Sequence, residues 1–298
     1  MTPVEYLERC GGVANAADLS STCGRAAVRT AVRHGAVVRD GRGRYALPHA
    51  DAALRAARAI SGVVSCLSAA RWWGWETKVQ PRLPSVTVPQ HRKRRPAYDA
   101  GVAVSYRDLP DDRIVEPGVT TAIRTVLDCA TALPFDEALA VADSALRHED
   151  VTPQELLAAV DGSPNRGKAR RRRVVLAADP RADNPFESVL RAMALDAGLD
   201  VVPQVPIYIP HRWVRPDLLD ERRGIALEAE SFTWHGERSQ LMTDCHKYDE
   251  LTMLGLTVLR FGWEQVVLQQ QWARDVLVRV SGTGVAAWRS AAGTHPRG

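Results

Sequence analysis

Apolar and polar positions change rhythm three times along this chain. Up to Pro48 the apolar residues recur at helical spacing and then fall into two short runs. Pro3 to Cys10 predicts a short helix closed by Gly11-Gly12, and Asn15 to Leu19 a second turn or two. Ser21 or Thr22 caps a third helix through His34, where Gly35 suits the left-handed position after a helix. Ala36 to Leu47 sets apolar runs around Asp40-Gly41 and Arg42-Gly43, the pattern of a β-hairpin. Helices followed by a hairpin are the order of a winged helix-turn-helix, assigned to residues 1–50.

Residues 51–161 read as an α+β segment. A helix is expected over Asp51 to Ile60, leading into the run Ser65 to Trp75, and strands over Ser85 to Val88 and Val102 to Tyr106. Further helices follow around Thr121 to Leu133, Phe135 to Arg147 and Pro153 to Val160. Gly162 to Gly167 is a linker, and Lys168-Ala-Arg-Arg-Arg-Arg173 opens a short basic helix, giving a connecting stretch over 162–183.

The pattern is sharpest over residues 184–298. Asn184-Pro185-Phe186-Glu187 supplies an N-cap, a proline at the first helical position and a glutamate three residues after the cap, starting a helix that ends before Gly198. Val201 to Ile209, Trp213 to Leu219 and Ile225 to Glu230 predict three strands. A helix from about Ser239 to Leu254 and a strand from Leu256 to Phe261 complete an αβββαβ order, an α/β arrangement with a helix on each side of a sheet.

Composition narrows the class. Of the 298 residues, 45% are apolar and 25% charged, the balance of a soluble globular protein of two or three domains. The net charge of +4 fits an anionic partner such as nucleic acid without demanding one. The 5 cysteines are scattered with no Cys-x-x-Cys pair, which argues against a disulfide framework or zinc site and for the cytoplasm. The start carries no basic n-region followed by an apolar stretch, and Arg55, Arg58 and Arg71 interrupt the most apolar run, so neither a signal peptide nor a membrane span is expected.

Two groups of residues carry candidate chemistry. Arg25, Arg29 and Arg33 stack along one helix face, and Arg42 and Arg44 sit on the hairpin. A recognition helix with a basic wing would use them on the phosphates of duplex DNA, the competing reading being a solvated face. In the last segment, alternation puts Glu228 and Glu230 on one side of a strand, and Asp217 on the preceding strand can reach the same side. Converging carboxylates repel, and a divalent cation removes the conflict. Hard oxygen ligands suit Mg²⁺ or Mn²⁺, which would activate water against a phosphodiester. Asp217 and Glu228 are the candidate metal ligands, with Glu230 beside them.

Arg215-Pro-Asp217 followed by Glu228-Ala-Glu230 resembles the PD-(D/E)XK nucleases. The run Leu227 to Gly236, with Asp244, Tyr248 and Gly255 to Phe261, resembles more narrowly the very-short-patch-repair-like endonuclease domains of actinobacteria, over about Asn184 to Val280. The resemblance implies a restriction-endonuclease-like core, with Glu187 as the extra acid of such sites. The class pattern has a lysine where this chain has Glu230, and the repair-type relatives recruit a histidine, so His235 would act as general acid or base. Lys247 and Arg238 are weaker substitutes that would reach phosphate or solvent. The front segment ending in Gly43-Arg-Tyr-Ala-Leu47 resembles the winged helix of AbiEi-type antitoxins, which implies DNA binding and leaves a toxin partner open. Two functions compete: a metal-dependent DNA endonuclease, and a non-catalytic DNA-binding regulator of the type IV antitoxin kind on a degenerate nuclease fold. A third reading makes the acidic cluster a protein-interaction surface.

Overall fold

In the computed structural model, residues 1–93, 101–209, 212–230 and 238–282 are described, and they form a mixed α/β protein. The chain divides into two compact units, one of residues 1–132 and 158–164, the other of residues 133–157 and 165–298.

The first unit opens with the helix Pro3–Arg9, the strand Val13–Asn15, the helices Ala16–Cys23 and Arg25–Arg33, and a hairpin of Val38–Gly41 and Arg44–Ala46. Thr2 caps the first helix, with Glu5 closing the box back onto its backbone N–H. The third helix begins at Arg25 rather than after Ser21 or Thr22, because the second runs on to Cys23 and the single residue between them, Gly24 at φ +81° and ψ 139°, makes the break. Val13–Asn15 was not expected as a strand; it pairs antiparallel with Arg44–Ala46 and widens the hairpin to three strands. Leu7, Leu19, Val28, Val37 and Leu47 form the core beneath them. Full burial of a leucine contributes roughly 1.5–3 kcal/mol, and this small core draws one residue from each helix together with Val37 and Leu47, which flank the hairpin strands.

The rest of the first unit is a five-stranded sheet in the order Ala103–Tyr106, Ser85–Val88, Val63–Val64, Val119–Thr120, Ile114–Val115, with both parallel and antiparallel pairs. The helices Ala52–Ala59, Cys66–Trp72 and Ala122–Ala132 accompany it. Gly11 approaches this part of the unit closely. It has φ +71°, and a Cβ there would lie 2.2 Å from Cγ of Pro117. Gly11→Ala is therefore expected to lower stability by about 1–3 kcal/mol, from the strained backbone and the overlap together. Urea unfolding measures it, and an unchanged midpoint would contradict this packing.

The second unit contains the helices Phe135–Arg147, Lys168–Ala177 and Pro185–Asp196, and a four-stranded sheet. Its strand order is Thr257–Gly262, Ile225–Glu230, Leu218–Asp220, Val202–Pro203. Ile225–Glu230 runs antiparallel to Leu218–Asp220 and parallel to Thr257–Gly262, which returns through the helix Arg238–Met253. The strands expected over 201–209 and 213–219 are each split, near Pro206 and at Pro216, because a proline donates nothing to a ladder. Between the breaks, Ile207–Ile209 and Arg212–Val214 form a separate hairpin. Leu218, Ile225 and Leu227 pack with Phe186, Leu190 and Met193 of the helix Pro185–Asp196. Leu219 and Ala226, on the opposite face, pack with Leu251 of the helix Arg238–Met253.

A buried ion pair joins two helices of this unit. Arg191 donates to both carboxylate oxygens of Asp143 at 2.6 and 2.5 Å, with the two side chains only 3% and 0% exposed.

Candidate functional site

The acidic residues gather where the central strand pair of the second unit ends. Leu218 pairs with Leu227 and Leu219 with Ala226, so the same register sets Asp217 across from Glu228. Cross-strand neighbours share a face, here the one covered by the helix Arg238–Met253. Asp217 lies at a bend just before its strand rather than within it. Its Oδ2 accepts the backbone N–H of Ala229 at 2.7 Å.

Glu187 enters from the first turn of the helix Pro185–Asp196. Asn184 caps that helix, accepting from the N–H groups of Phe186 and Glu187 at 2.9 and 3.0 Å. Glu187 answers by accepting from Asn184 Nδ2 at 2.7 Å and from the Asp183 N–H at 3.0 Å. Gln204 links the two acids: its Nε2 lies 3.2 Å from Glu187 Oε2 and 3.4 Å from Asp217 Oδ1. Its own backbone has φ +53° and donates to Asp217 O at 3.0 Å.

Glu228 is 3% exposed, and its Oε2 accepts a hydrogen bond from Lys247 Nζ at 2.7 Å. Its other oxygen, Oε1, is buried with no hydrogen-bond partner among the described residues. Glu230, two residues on, accepts from Tyr248 Oη and from Arg260 Nε, the latter at 3.1 Å. The Arg260 guanidinium sits 4.1 Å above the Tyr248 ring. Lys247 and Tyr248 are adjacent on one helix, so a single element serves both glutamates.

Burial, opposed by the Asp183 N–H and reinforced by nearby Asp217, pushes Glu187 up to about 7. Burial beside Asp217 pushes Glu228 up to about 8, with the Lys247 ammonium pulling the other way. Asp217 is likewise raised by burial, against the Ala229 N–H. A carboxyl whose folded value is raised binds more protons folded than unfolded, so its stabilisation is complete below the unfolded value near 4.5 and is lost as pH climbs through 7 to 8. Stability should therefore fall between pH 5 and pH 8, by at most about 1.4 kcal/mol per pH unit for each group. Glu187→Gln and Glu228→Gln should flatten that slope in denaturant unfolding series; a slope identical to the parent's would contradict the arrangement.

The structure thus brings Glu187 and Asp217 together through Gln204, sets Asp217 opposite Glu228, and places Glu230 in a separate contact with Tyr248 and Arg260. His235 lies outside the described residues. The donor chemistry suits Mg²⁺ or Mn²⁺, since all the donors are carboxylate oxygens and Glu228 Oε1 is buried and unsatisfied. Yet among the described residues no group of three or more His, Cys, Asp and Glu is set to hold a metal ion. Hydrogen bonds from Lys247, Gln204 and Ala229 occupy the acids instead.

The sequence offered Lys247 only as a weaker substitute and did not single out Gln204. The available signal for Gln204 was an amide interrupting the otherwise apolar run Val201 to Ile207.

In the first unit, Arg25, Arg29 and Arg33 are exposed along the helix Arg25–Arg33, and Val28 is its buried residue. Arg42 is exposed at the hairpin turn. Arg44 turns inward, donating to the carbonyls of Asp40 and Ala59, both at 3.2 Å. Among the described residues no helix is long and apolar enough to cross a membrane.

Residues 63–176 match the AbiEi antitoxin C-terminal domain. The match falls on the middle of the chain, whereas the resemblance read from the sequence lay in the front segment. Among particular proteins, the uncharacterized proteins Rv2248 and MT2308 of two Mycobacterium tuberculosis strains are each 31% identical over 139 residues, 45% of this chain. The chain spans about half the length of these curated relatives, 51% in each case. The crystal structure of the RV2827C protein from Mycobacterium tuberculosis aligns with a TM-score of 0.36 at 17% identity, covering 70% of this chain and 87% of that one.

Proposed function

We propose that the chain is a DNA-binding regulator of the antitoxin kind, acting in the cytoplasm, with a winged helix over residues 1–50. The observation that carries this is the exposed stripe of Arg25, Arg29 and Arg33, on the second of two helices joined at Gly24 and followed by a hairpin. A helix so placed presents guanidiniums to the phosphates flanking a major groove. The AbiEi match over 63–176 supports the antitoxin side of the reading, with a cognate toxin as the protein partner. In the second unit the order of helix, three sheet strands, helix and strand supports a restriction-endonuclease-like core. Its acids are compensated from within: Lys247 supplies the positive charge at Glu228, and Arg260 at Glu230.

A second reading, a metal-dependent DNA endonuclease, is favoured by one observation, the buried and unsatisfied Oε1 of Glu228. On that reading Asp217, Glu228 and Glu187 would hold Mg²⁺ or Mn²⁺, and the ion would supply an activated water and charge stabilisation at the phosphodiester. Lys247 would then stand in for the lysine absent at Glu230, holding Glu228 in place.

One experiment separates the two. The chain is titrated against fluorescent duplex DNA and, in parallel, incubated with supercoiled plasmid and Mg²⁺ or Mn²⁺. Salt-dependent binding without nicking is expected. Nicking that needs metal and disappears in Asp217→Ala and Lys247→Ala would replace the regulator reading with the nuclease; absence of DNA binding would overturn the regulator reading itself.

A further inference from the structure

We infer that Cys66 and Cys129 form a peroxide-oxidisable thiol pair that closes to a disulfide within the first unit. Their sulfurs are 3.6 Å apart, with the Cys129 thiol donating to Cys66. A disulfide needs about 2.05 Å, so the sulfurs must approach by roughly 1.5 Å, a small movement of two side chains. Neither cysteine is in a disulfide in this structure.

Three features distinguish Cys66 from an inert core thiol. It is only half-buried, whereas Cys129 is fully buried, so one member of the pair can meet a small oxidant while the other waits behind it. Its backbone is held at φ +50°, a left-handed conformation that non-glycine residues seldom adopt and that tends to mark functional positions. The Cys129 thiol and the Leu67 N–H stabilise its thiolate and hold it below the ordinary thiol value, against burial and nearby Asp128, with Arg107 helping. Asp128 is itself clamped by Arg107 and Arg124 at 2.8 and 2.7 Å, which tempers its repulsion of a thiolate.

The oxidant is a hydroperoxide. The Cys66 thiolate attacks one oxygen of hydrogen peroxide, the O–O bond breaks, and the departing hydroxide takes up a proton to leave as water. Cys66 is then a sulfenic acid. The Cys129 sulfur attacks the Cys66 sulfur, the S–O bond breaks, and the hydroxyl leaves as a second water with the Cys129 proton. Two thiols and one peroxide give one disulfide and two waters, with two electrons passing from sulfur to oxygen. Intracellular disulfides of this kind are commonly transient and sensory. The bridge would tie the helix Cys66–Trp72 to the helix Ala122–Ala132, both within the stretch matching the antitoxin domain.

The test treats the reduced full chain with hydrogen peroxide, quenches with catalase, alkylates under denaturing conditions and maps the peptides by mass spectrometry. A Cys66–Cys129 linkage lighter by two hydrogens is expected, forming before exposed Cys245 is consumed and reversed by dithiothreitol. In Cys129→Ser the linkage should vanish while Cys66 gains a dimedone adduct. The parent chain alone decides the matter should that variant fold poorly. Oxidation of Cys10, Cys23 or Cys245 with Cys66 and Cys129 still fully alkylatable would overturn the inference, as would Cys66 linked to any other cysteine.

Discussion

Asp143→Ala should lower the unfolding free energy by roughly 3–5 kcal/mol, the cost of leaving a buried guanidinium without its counter-ion. Arg191 donates two hydrogen bonds to Asp143, whose Oδ1 also accepts the Asp179 N–H at 2.9 Å. Burial raises the Asp143 carboxyl, and Arg191 opposes that rise. Desolvating both ions is expensive, so the pair is worth far less intact than it costs to break. The double variant Asp143→Leu/Arg191→Met removes both charges and should therefore regain most of the loss. Urea unfolding of the three proteins supplies the measurement. A single-variant loss below about 1 kcal/mol, or a double variant no better than the single one, would show that the pair does not organise this part of the unit.

Replacing Arg25, Arg29 and Arg33 together by alanine should weaken duplex binding roughly 150- to 2,000-fold near physiological salt, at about 1–1.5 kcal/mol for each phosphate contact. The slope of log affinity against log salt should fall by about 3, close to one for each cation removed. The helix should survive, because alanine is its best former and Val28 carries its buried face. Lysine at all three positions should retain most of the salt slope. Circular dichroism controls for folding and fluorescence anisotropy reads binding. Affinity within about threefold of the parent would locate the DNA contact elsewhere. Arg44→Ala, by contrast, should act mainly on stability, since its guanidinium is committed to the Asp40 and Ala59 carbonyls.

The sequence was most legible where one strong local rule acted alone. Ile225–Glu230 could be bounded to the residue because apolar density begins at a glycine turn and ends in an alternating acid pair. Phe135–Arg147 was also expected at these bounds, within a stretch whose pattern is otherwise harder to read. The three-residue strand Val13–Asn15 was hidden because its identity comes from a partner about thirty residues away, not from any period of its own. The joint between the second and third helices was placed a few residues early because the residues around Gly24 keep helical spacing through the break.

The site divides along the same line. The common face of Glu228 and Glu230 follows from alternation, and the position of Asp217 opposite Glu228 follows from a four-residue turn. Lys247 at Glu228 depends on how a helix lies over a sheet, a tertiary relation that spacing does not encode. Gln204 owes its place to a left-handed backbone turn between two prolines, where side-chain periodicity carries no information.

Gly24 gives the arginine face an unusual kind of constraint. A Cβ built there meets nothing within 4 Å, so by exposure and free volume the position looks open to any residue. The restriction lies wholly in dihedral space: φ +81° with ψ 139° is a region left almost entirely to glycine. Substitution would collide with no neighbour and would instead re-aim one helix against the other. Natural variation should accordingly be nearly absent at this joint, although no neighbouring side chain packs against it.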